Sequence, residues 1–181
     1  MPSKRFWAKK NPKLDFDETV NKTEYFVKNY DFQKFIHISS ISARCEKKTT
    51  YGKNKLKSEN IVKNLDNHLI LRLGPLFGKN LTKGVLVDMM NSQTVFINGN
   101  SKYSFTDTKW ISDWIATNMF KIKGLIELGS NDYFILKDLS LKIKSKSKFR
   151  GRLDNQVIKS NFKYKTTSKN VLKFLKKINA K

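Results

Sequence analysis

Hydrophobic and polar positions change period several times along the 181 residues, and each change marks an element. The first dozen residues are polar and basic and predict a loose arm. Residues 16–30 place Val20, Tyr25 and Phe26 at mixed helical spacing, with Asp15 or Asp17 as a cap, and predict a helix. Lys-Phe-Ile-His-Ile-Ser at 34–39 predicts a short buried strand. At about 100° per residue, positions 51, 55, 58, 62 and 65 share a face, which predicts a long helix over 51–65. Leu69-Ile70-Leu71-Arg72-Leu73 predicts a second buried strand, ended by Gly74-Pro75.

The rest of the chain is more mixed. A short helix is expected over 85–91. Strands over 94–97 and 103–106 flank Asn98-Gly99-Asn100-Ser101, which has the composition of a hairpin turn. Trp110, Ile111, Trp114, Ile115 and Met119 make 110–120 an amphipathic helix. Residues 125–128 and 133–136 are strand-like, 136–143 helical, and the last helix covers roughly 168–178. Strand, long helix, strand and a mixed tail is an α/β pattern with parallel crossovers. The apolar strands fit a sheet covered on both faces. No internal repeat and no low-complexity segment interrupts it.

Composition narrows the classes. A hydrophobic fraction of 39% with 12% aromatics supports a packed core. No apolar run approaches the ~20 residues of a bilayer span, and the start of the chain has no apolar signal segment. The lone Cys45 forms no internal disulfide and reads as inert. Two histidines leave no zinc site of the usual spacing. These features point to a cytoplasmic protein without a membrane partner or a metal. The formal net charge of +22 suits polyanions. However, the cations are 32 Lys against 5 Arg, beside 17 Asn, and they are scattered. That is the mark of A/T-rich codons rather than of a base reader, which leans on Arg. A basic nucleic-acid-binding module therefore stands as the alternative reading, carried best by the local run 142–152. His37, between Ile36 and Ile38 on a strand, reads as a packed histidine. Trp110 and Trp114 read as core.

Three features in order carry chemistry. Ser39-Ser40 closes the first strand, where open α/β sheets place ligands. Tyr51 and Lys55 start the long helix at i and i+4, so they share a face. A lysine ammonium near a phenol favours the phenolate, and a nearby serine hydroxyl can bond a substrate oxygen. Tyr-x-x-x-Lys alone says little in so Lys-rich a chain: Tyr30/Lys34 and Tyr133/Lys137 match as well. Only Tyr51 follows a Ser-Ser strand end and precedes a strand leaving through Gly74-Pro75-Leu76-Phe77-Gly78.

The runs Lys34–Ser42, Tyr51–Glu59 and Leu69–Gly78 as an ordered set resemble the extended short-chain dehydrogenase/reductase family. These are the NAD-dependent epimerases and dehydratases of nucleotide sugars. Weaker similarity continues through Phe96-Ile97-Asn98-Gly99 and 110–116, so that the resemblance covers about residues 15–145. It implies a Rossmann-type parallel sheet and a small C-terminal substrate lobe. Residues 1–14 would be a basic arm, 15–78 the C-terminal part of a Rossmann-like NAD(P)-binding domain, and 79–181 a mixed α/β substrate lobe interleaved with the sheet. By the resemblance, Ser40 polarises the substrate oxygen and Tyr51 is the general acid/base. Lys55 holds the nicotinamide ribose and lowers the Tyr51 pKa. Leu73 and Gly74 approach the nicotinamide of NAD or NADP. Pro75, Leu76 and the turn at Asn98 face the sugar nucleotide. The chain departs from the family in lacking its Gly-x-x-Gly-x-x-Gly pyrophosphate turn: no two of its eight glycines are two or three residues apart. The resemblance therefore implies a member without its N-terminal strands, partial or inactive alone. Its partner would be a separate nucleotide-binding chain, or a second copy in a homo-oligomer.

Overall fold

A computed structural model describes residues 5–79, 81–159 and 166–179. Among these, the chain folds into two compact units. One holds the residues up to Leu73 together with Ala116–Glu127; the other holds Gly74–Ile115 and the residues from Leu128 on.

In the first unit, strands β1 (Phe35–Ser40) and β2 (His68–Leu73) run parallel, in register from Phe35 opposite His68 to Ser40 opposite Leu73. β2 lies in the middle of a three-stranded sheet with β6 (Gly124–Leu128) on its other side. Leu69, Ile70 and Leu71 are each 0% exposed, so consecutive side chains on both faces of β2 are covered, as in parallel sheets layered between helices. The strands are joined through α4 (Ser42–Cys45) and α5 (Thr50–Val62). Thr49 caps α5 by accepting a 3.0 Å bond from the Gly52 amide. α5 packs against α1 (Arg5–Lys10), α2 (Pro12–Phe16), α3 (Lys22–Asn29), α4, β1 and β2. Both of its faces are therefore engaged.

The basic start departs from the sequence reading: residues 5–10 are a helix with Ala8 buried, not a loose arm. The next helix begins at Pro12, four residues earlier than its pattern suggests. Proline suits this first position because its missing amide would have no partner there anyway. The helical path then passes through a π-helical turn, Asp17–Asn21, into α3. Asp15 does not cap this helix; it lies inside α2 and is buried.

The second unit has its own core of Phe77, Leu86, Met89, Val95, Tyr103, Phe105, Leu136, Leu139, Val171 and Leu175. Two short ladders cross it. β3 (Leu76–Phe77) pairs in parallel with β5 (Thr106–Asp107), and β4 (Lys102–Tyr103) pairs antiparallel with β7 (Phe134–Ile135). The expected hairpin about Asn98 does not form. Its turn closes, with the Ser101 amide on the Asn98 carbonyl at 3.0 Å, but the flanks pair elsewhere: Val95 bridges Phe149, and Tyr103 bridges Phe134 and Gln156. Those distant segments satisfy the backbone groups that the short local strands would otherwise have shared. Helix α7 (Thr108–Asn118) buries Ile111, whereas Trp110 and Trp114 stay half-buried rather than core.

Two predictions follow from the first unit. A Cβ on Gly52 would lie 2.2 Å from the Glu46 carbonyl oxygen and 2.8 Å from that of Ser42. Gly52→Ala should lower the urea midpoint by the equivalent of about 1–3 kcal/mol, since only backbone movement relieves such contacts. β1, an edge strand among the described residues, leaves Ile38 46% exposed. Such an edge associates unless it is charged or covered. Ile38→Lys should reduce concentration-dependent association in sedimentation velocity; an unchanged profile would show the edge to be inert.

Candidate active site

The parallel register brings the carboxyl ends of β1 and β2 level. Ser40, the last residue of β1, lies opposite Leu73, and the Ile41 amide bonds the Leu73 carbonyl at 3.0 Å. The chain then turns into α4, where the Ser42 amide donates to Ser40 Oγ at 3.2 Å. α5 starts beside this turn and carries Tyr51 in its first turn. The Ser40 hydroxyl stands close enough to the Tyr51 phenol to pull its pKa down. One turn further, Lys55 Nζ lies 5.8 Å from the centroid of the Tyr51 ring. Ser40, Tyr51 and Lys55 are thus gathered at the strand ends, each half-buried.

Desolvation governs the electrostatics. Burial pushes the Tyr51 phenol above its ordinary pKa; the Ser40 hydroxyl and the Arg5 charge pull it down, while Asp15 and Glu46 push it up. The net direction is upward, because loss of water around the phenol outweighs the favourable contacts. Burial pushes the Lys55 ammonium below its ordinary value, opposed by Asp15 and Glu59. His37, whose Nε2 lies 3.0 Å from Ser58 Oγ, is held down to about 4 by burial and then by the Lys55 charge, with Glu59 opposing. It is the packed, neutral histidine that the strand pattern suggests.

The remaining candidates have structural engagements of their own. Gly74 follows β2; a Cβ there would come within 3.3 Å of the Ser104 carbonyl and 3.2 Å of Ile158. The Pro75 carbonyl accepts from the Thr106 amide at 2.9 Å, and Leu76 pairs with Thr106 in β3–β5. Asn98 is committed to its own turn: Oδ1 accepts from the Asn100 amide at 2.9 Å, and its amide donates to the Arg152 carbonyl at 3.1 Å. No described contact enlists Asn98 with the serine, tyrosine and lysine.

Four charged residues without a role in the sequence reading stand around the site. Arg5 pairs with Glu46 at 3.1 Å. Glu59 accepts from Ser39 Oγ at 2.6 Å and from Arg72 Nε and Nη2 at 2.9 and 2.7 Å. Asp15 accepts from Asn54 Nδ2 at 2.7 Å. Glu59 was within reach of pattern reading, since it extends the i, i+4 stripe of Tyr51 and Lys55. Arg5 and Asp15 gave no such signal. Among the described residues, no cluster of metal-ligating side chains and no helix long and apolar enough to cross a membrane is present.

No family model matches the sequence, and no curated protein matches it. Solved structures do. The UDP-glucuronic acid 4-epimerase of Bacillus cereus, in complex with UDP-glucuronic acid and NAD, superposes with a TM-score of 0.74 at 18% identity, over 98% of this chain and 73% of its own. The dTDP-4-dehydrorhamnose reductase of Bacillus anthracis, in complex with NADP, gives 0.78 at 13% identity, over 97% and 77%. The L-threonine 3-dehydrogenase of Trypanosoma brucei gives 0.74 at 13%, over 98% and 74%. The resemblance read from the three sequence runs thus finds support at the level of fold alone: the chain shares the Rossmann-type α/β fold of these enzymes.

His37 supplies a test of the site's interior. Its pKa is about 4 in the fold against 6.5 in an open chain, so the unfolded state binds more protons between those values. Stability should fall as pH drops through that window, by up to about 3 kcal/mol in all. His37→Gln should remove that part of the slope, as read from urea midpoints between pH 4 and pH 7; identical slopes would show His37 to be solvated.

Proposed function

We propose that this chain carries the proton-transfer and substrate part of an NAD(P)-dependent epimerase, dehydratase or reductase of nucleotide-linked sugars. The gathering of Ser40 and Tyr51 at the strand ends, with Lys55 Nζ 5.8 Å from the centroid of the Tyr51 ring, carries the reading. Of the structural neighbours above, two act on nucleotide-linked sugars and one on L-threonine. The sugar class is therefore the majority reading of the fold, joined to the Ser-Tyr-Lys order in the sequence. The neighbours give no support to a nucleic-acid-binding module.

Only part of a dinucleotide site fits the residues present. Lys55, Tyr51 and the backbone of Leu73 and Gly74 suit the nicotinamide–ribose end. The pyrophosphate turn has no counterpart in the sequence. The outer edge of β1, where the strands that carry such a turn would pair, has no strand partner among the described residues. When bound, the nicotinamide cofactor supplies hydride chemistry at a sugar carbon. Ser40 Oγ donates a hydrogen bond to the sugar oxygen and fixes its position. Tyr51 Oη takes the proton of a sugar hydroxyl, or returns one to a sugar carbonyl. Lys55 Nζ would hold the ribose hydroxyls of such a cofactor and would offset the charge that forms on Tyr51. On the resemblance alone, Pro75, Leu76 and Asn98 would face the sugar nucleotide.

The test is calorimetric titration of the chain with UDP- and dTDP-sugars and with NAD(H) and NADP(H), followed by nicotinamide absorbance. Sugar-nucleotide binding, with weak cofactor binding and a slow sugar-dependent absorbance change, is expected. Tyr51→Phe should reduce that change by about 100-fold or more. If neither ligand class binds at millimolar concentration, the reading fails.

A further inference from the structure

We propose that the second unit carries a membrane-contact face: the cationic run 142–152, with Phe96, Leu141 and Leu153 beside it, seats the chain on the headgroups of an anionic lipid bilayer. The proposal is independent of the reading of Ser40, Tyr51 and Lys55.

The run is ordered by the fold. Lys142, Lys144, Lys146, Lys148, Arg150 and Arg152 occupy every second position and are all exposed, whereas Ile143, Ser145, Ser147 and Phe149 between them are half-buried. Such alternation is how an extended chain sorts successive side chains to opposite faces. The inward residues pin the segment down. Ser145 Oγ donates to the Met89 carbonyl at 2.6 Å, and Ser147 Oγ to that of Asp88 at 3.3 Å. Phe149 packs against the core and bridges Val95 in parallel. The Val95 amide donates to the Lys148 carbonyl at 2.9 Å, and the Arg150 amide to the Val95 carbonyl at 2.8 Å. Gly151 then passes so close that a Cβ there would lie 2.7 Å from the Phe96 carbonyl oxygen. The neighbouring sequence supplies no counter-charge: residues 139–153 and 89–106 contain no Asp or Glu. Among the described residues, no ion pair engages Lys142, Lys144, Lys146, Lys148 or Arg150.

Exposed apolar side chains coincide with the row. Phe96 is 78% exposed, Leu141 76% and Leu153 56%, more than any other large hydrophobic residue described in the second unit. Leu141 immediately precedes the row and Leu153 immediately follows it. Phe96 follows Val95, so the bridge that turns Val95 and Phe149 inward puts Phe96 beside Arg150 on the outer side. Cations interspersed with protruding apolar groups suit an anionic bilayer surface. The charges meet lipid phosphates and carboxylates, and the apolar groups enter the boundary of the acyl chains. A single-stranded nucleic acid would use the cations and stack a base on Phe96, but it has no use for two exposed leucines, which have no π face. The contact is peripheral, since no described helix is long and apolar enough to cross a membrane.

The test sediments the full chain with vesicles of phosphatidylcholine, with and without phosphatidylserine. The chain should go down with the anionic vesicles and stay in solution with the neutral ones, and added salt should release it. Lys146→Gln, Lys148→Gln and Arg150→Gln together should weaken the association about 100-fold. Removing as much charge from the last helix, Asn170–Asn179, through Lys173→Gln, Lys176→Gln and Lys177→Gln should weaken it far less. Equal losses in the two variants would show that net charge alone attracts the chain, and would overturn the proposal. Phe96→Ser, which leaves the charge intact, should weaken the association about 10-fold; an unchanged affinity would overturn the proposal as well. All these side chains are exposed, so each variant should keep the wild-type urea midpoint. A chain that ignores anionic vesicles, yet binds a single-stranded oligonucleotide through the same cations, would make this a nucleic-acid surface and sink the membrane assignment.

Discussion

The Glu59 carboxylate holds the first unit together. It is 0% exposed and accepts three bonds, one from Ser39 of β1 and two from Arg72 of β2. A single side chain thereby fixes α5 to both parallel strands. Arg72 also approaches Glu127 of β6 at 3.7 Å, and Glu127 accepts 2.5 and 2.9 Å bonds from Arg44 of α4. Two acids and two bases alternate, so each of these four charges faces an opposite one. Such networks add little over a well-packed apolar core while intact, yet losing one partner strands a buried charge, at about 3–5 kcal/mol. What the arrangement provides is register: only one placement of α5 over the strands satisfies every member.

That register is what makes a site out of separate residues. Tyr51, Lys55 and Glu59 follow one another at i, i+4 and i+8 along α5, so anchoring Glu59 under the sheet also sets the height of Tyr51 at the strand ends. Ser39 faces Glu59, and Ser40, one residue on, stands near the phenol. Gly52 lets α5 approach the backbone of Ser42 and Glu46 closely. The desolvation that accompanies such packing acts in one direction on all three titratable groups: Tyr51 goes up, and Lys55 and His37 go down, each toward its neutral form. Asp15 and Glu59 oppose that tendency at Lys55.

The second unit answers to different physics. Its buried polar groups are satisfied locally. Asp154 accepts from Tyr103 Oη and Gln156 Nε2, both at 2.7 Å, and Ser130 Oγ donates to the Phe105 carbonyl at 2.6 Å. Short ladders and side-chain bonds of this kind replace a continuous sheet. They explain why β3, β4, β5 and β7 are only two residues each, and why their partners are far away in the chain.

By itself, the sequence determined what depends on near neighbours. The two apolar strands, the long helix and the Tyr51–Lys55 stripe follow from periodicity, and Ser40 at a strand end follows from where the apolar run stops. The tertiary structure decided what depends on groups brought together from afar. Asp15 meets Asn54 across 39 residues and is buried instead of capping a helix. Arg5, in a segment without a hydrophobic pattern, comes to influence Tyr51. The flanks of the Asn98 turn find partners some fifty residues later, because backbone groups pair with whichever strand the core delivers. The direction of the Tyr51 pKa belongs here too. Pattern can place a lysine beside a phenol, but only the packed fold sets how much water each has lost, and that loss outweighs the favourable contacts.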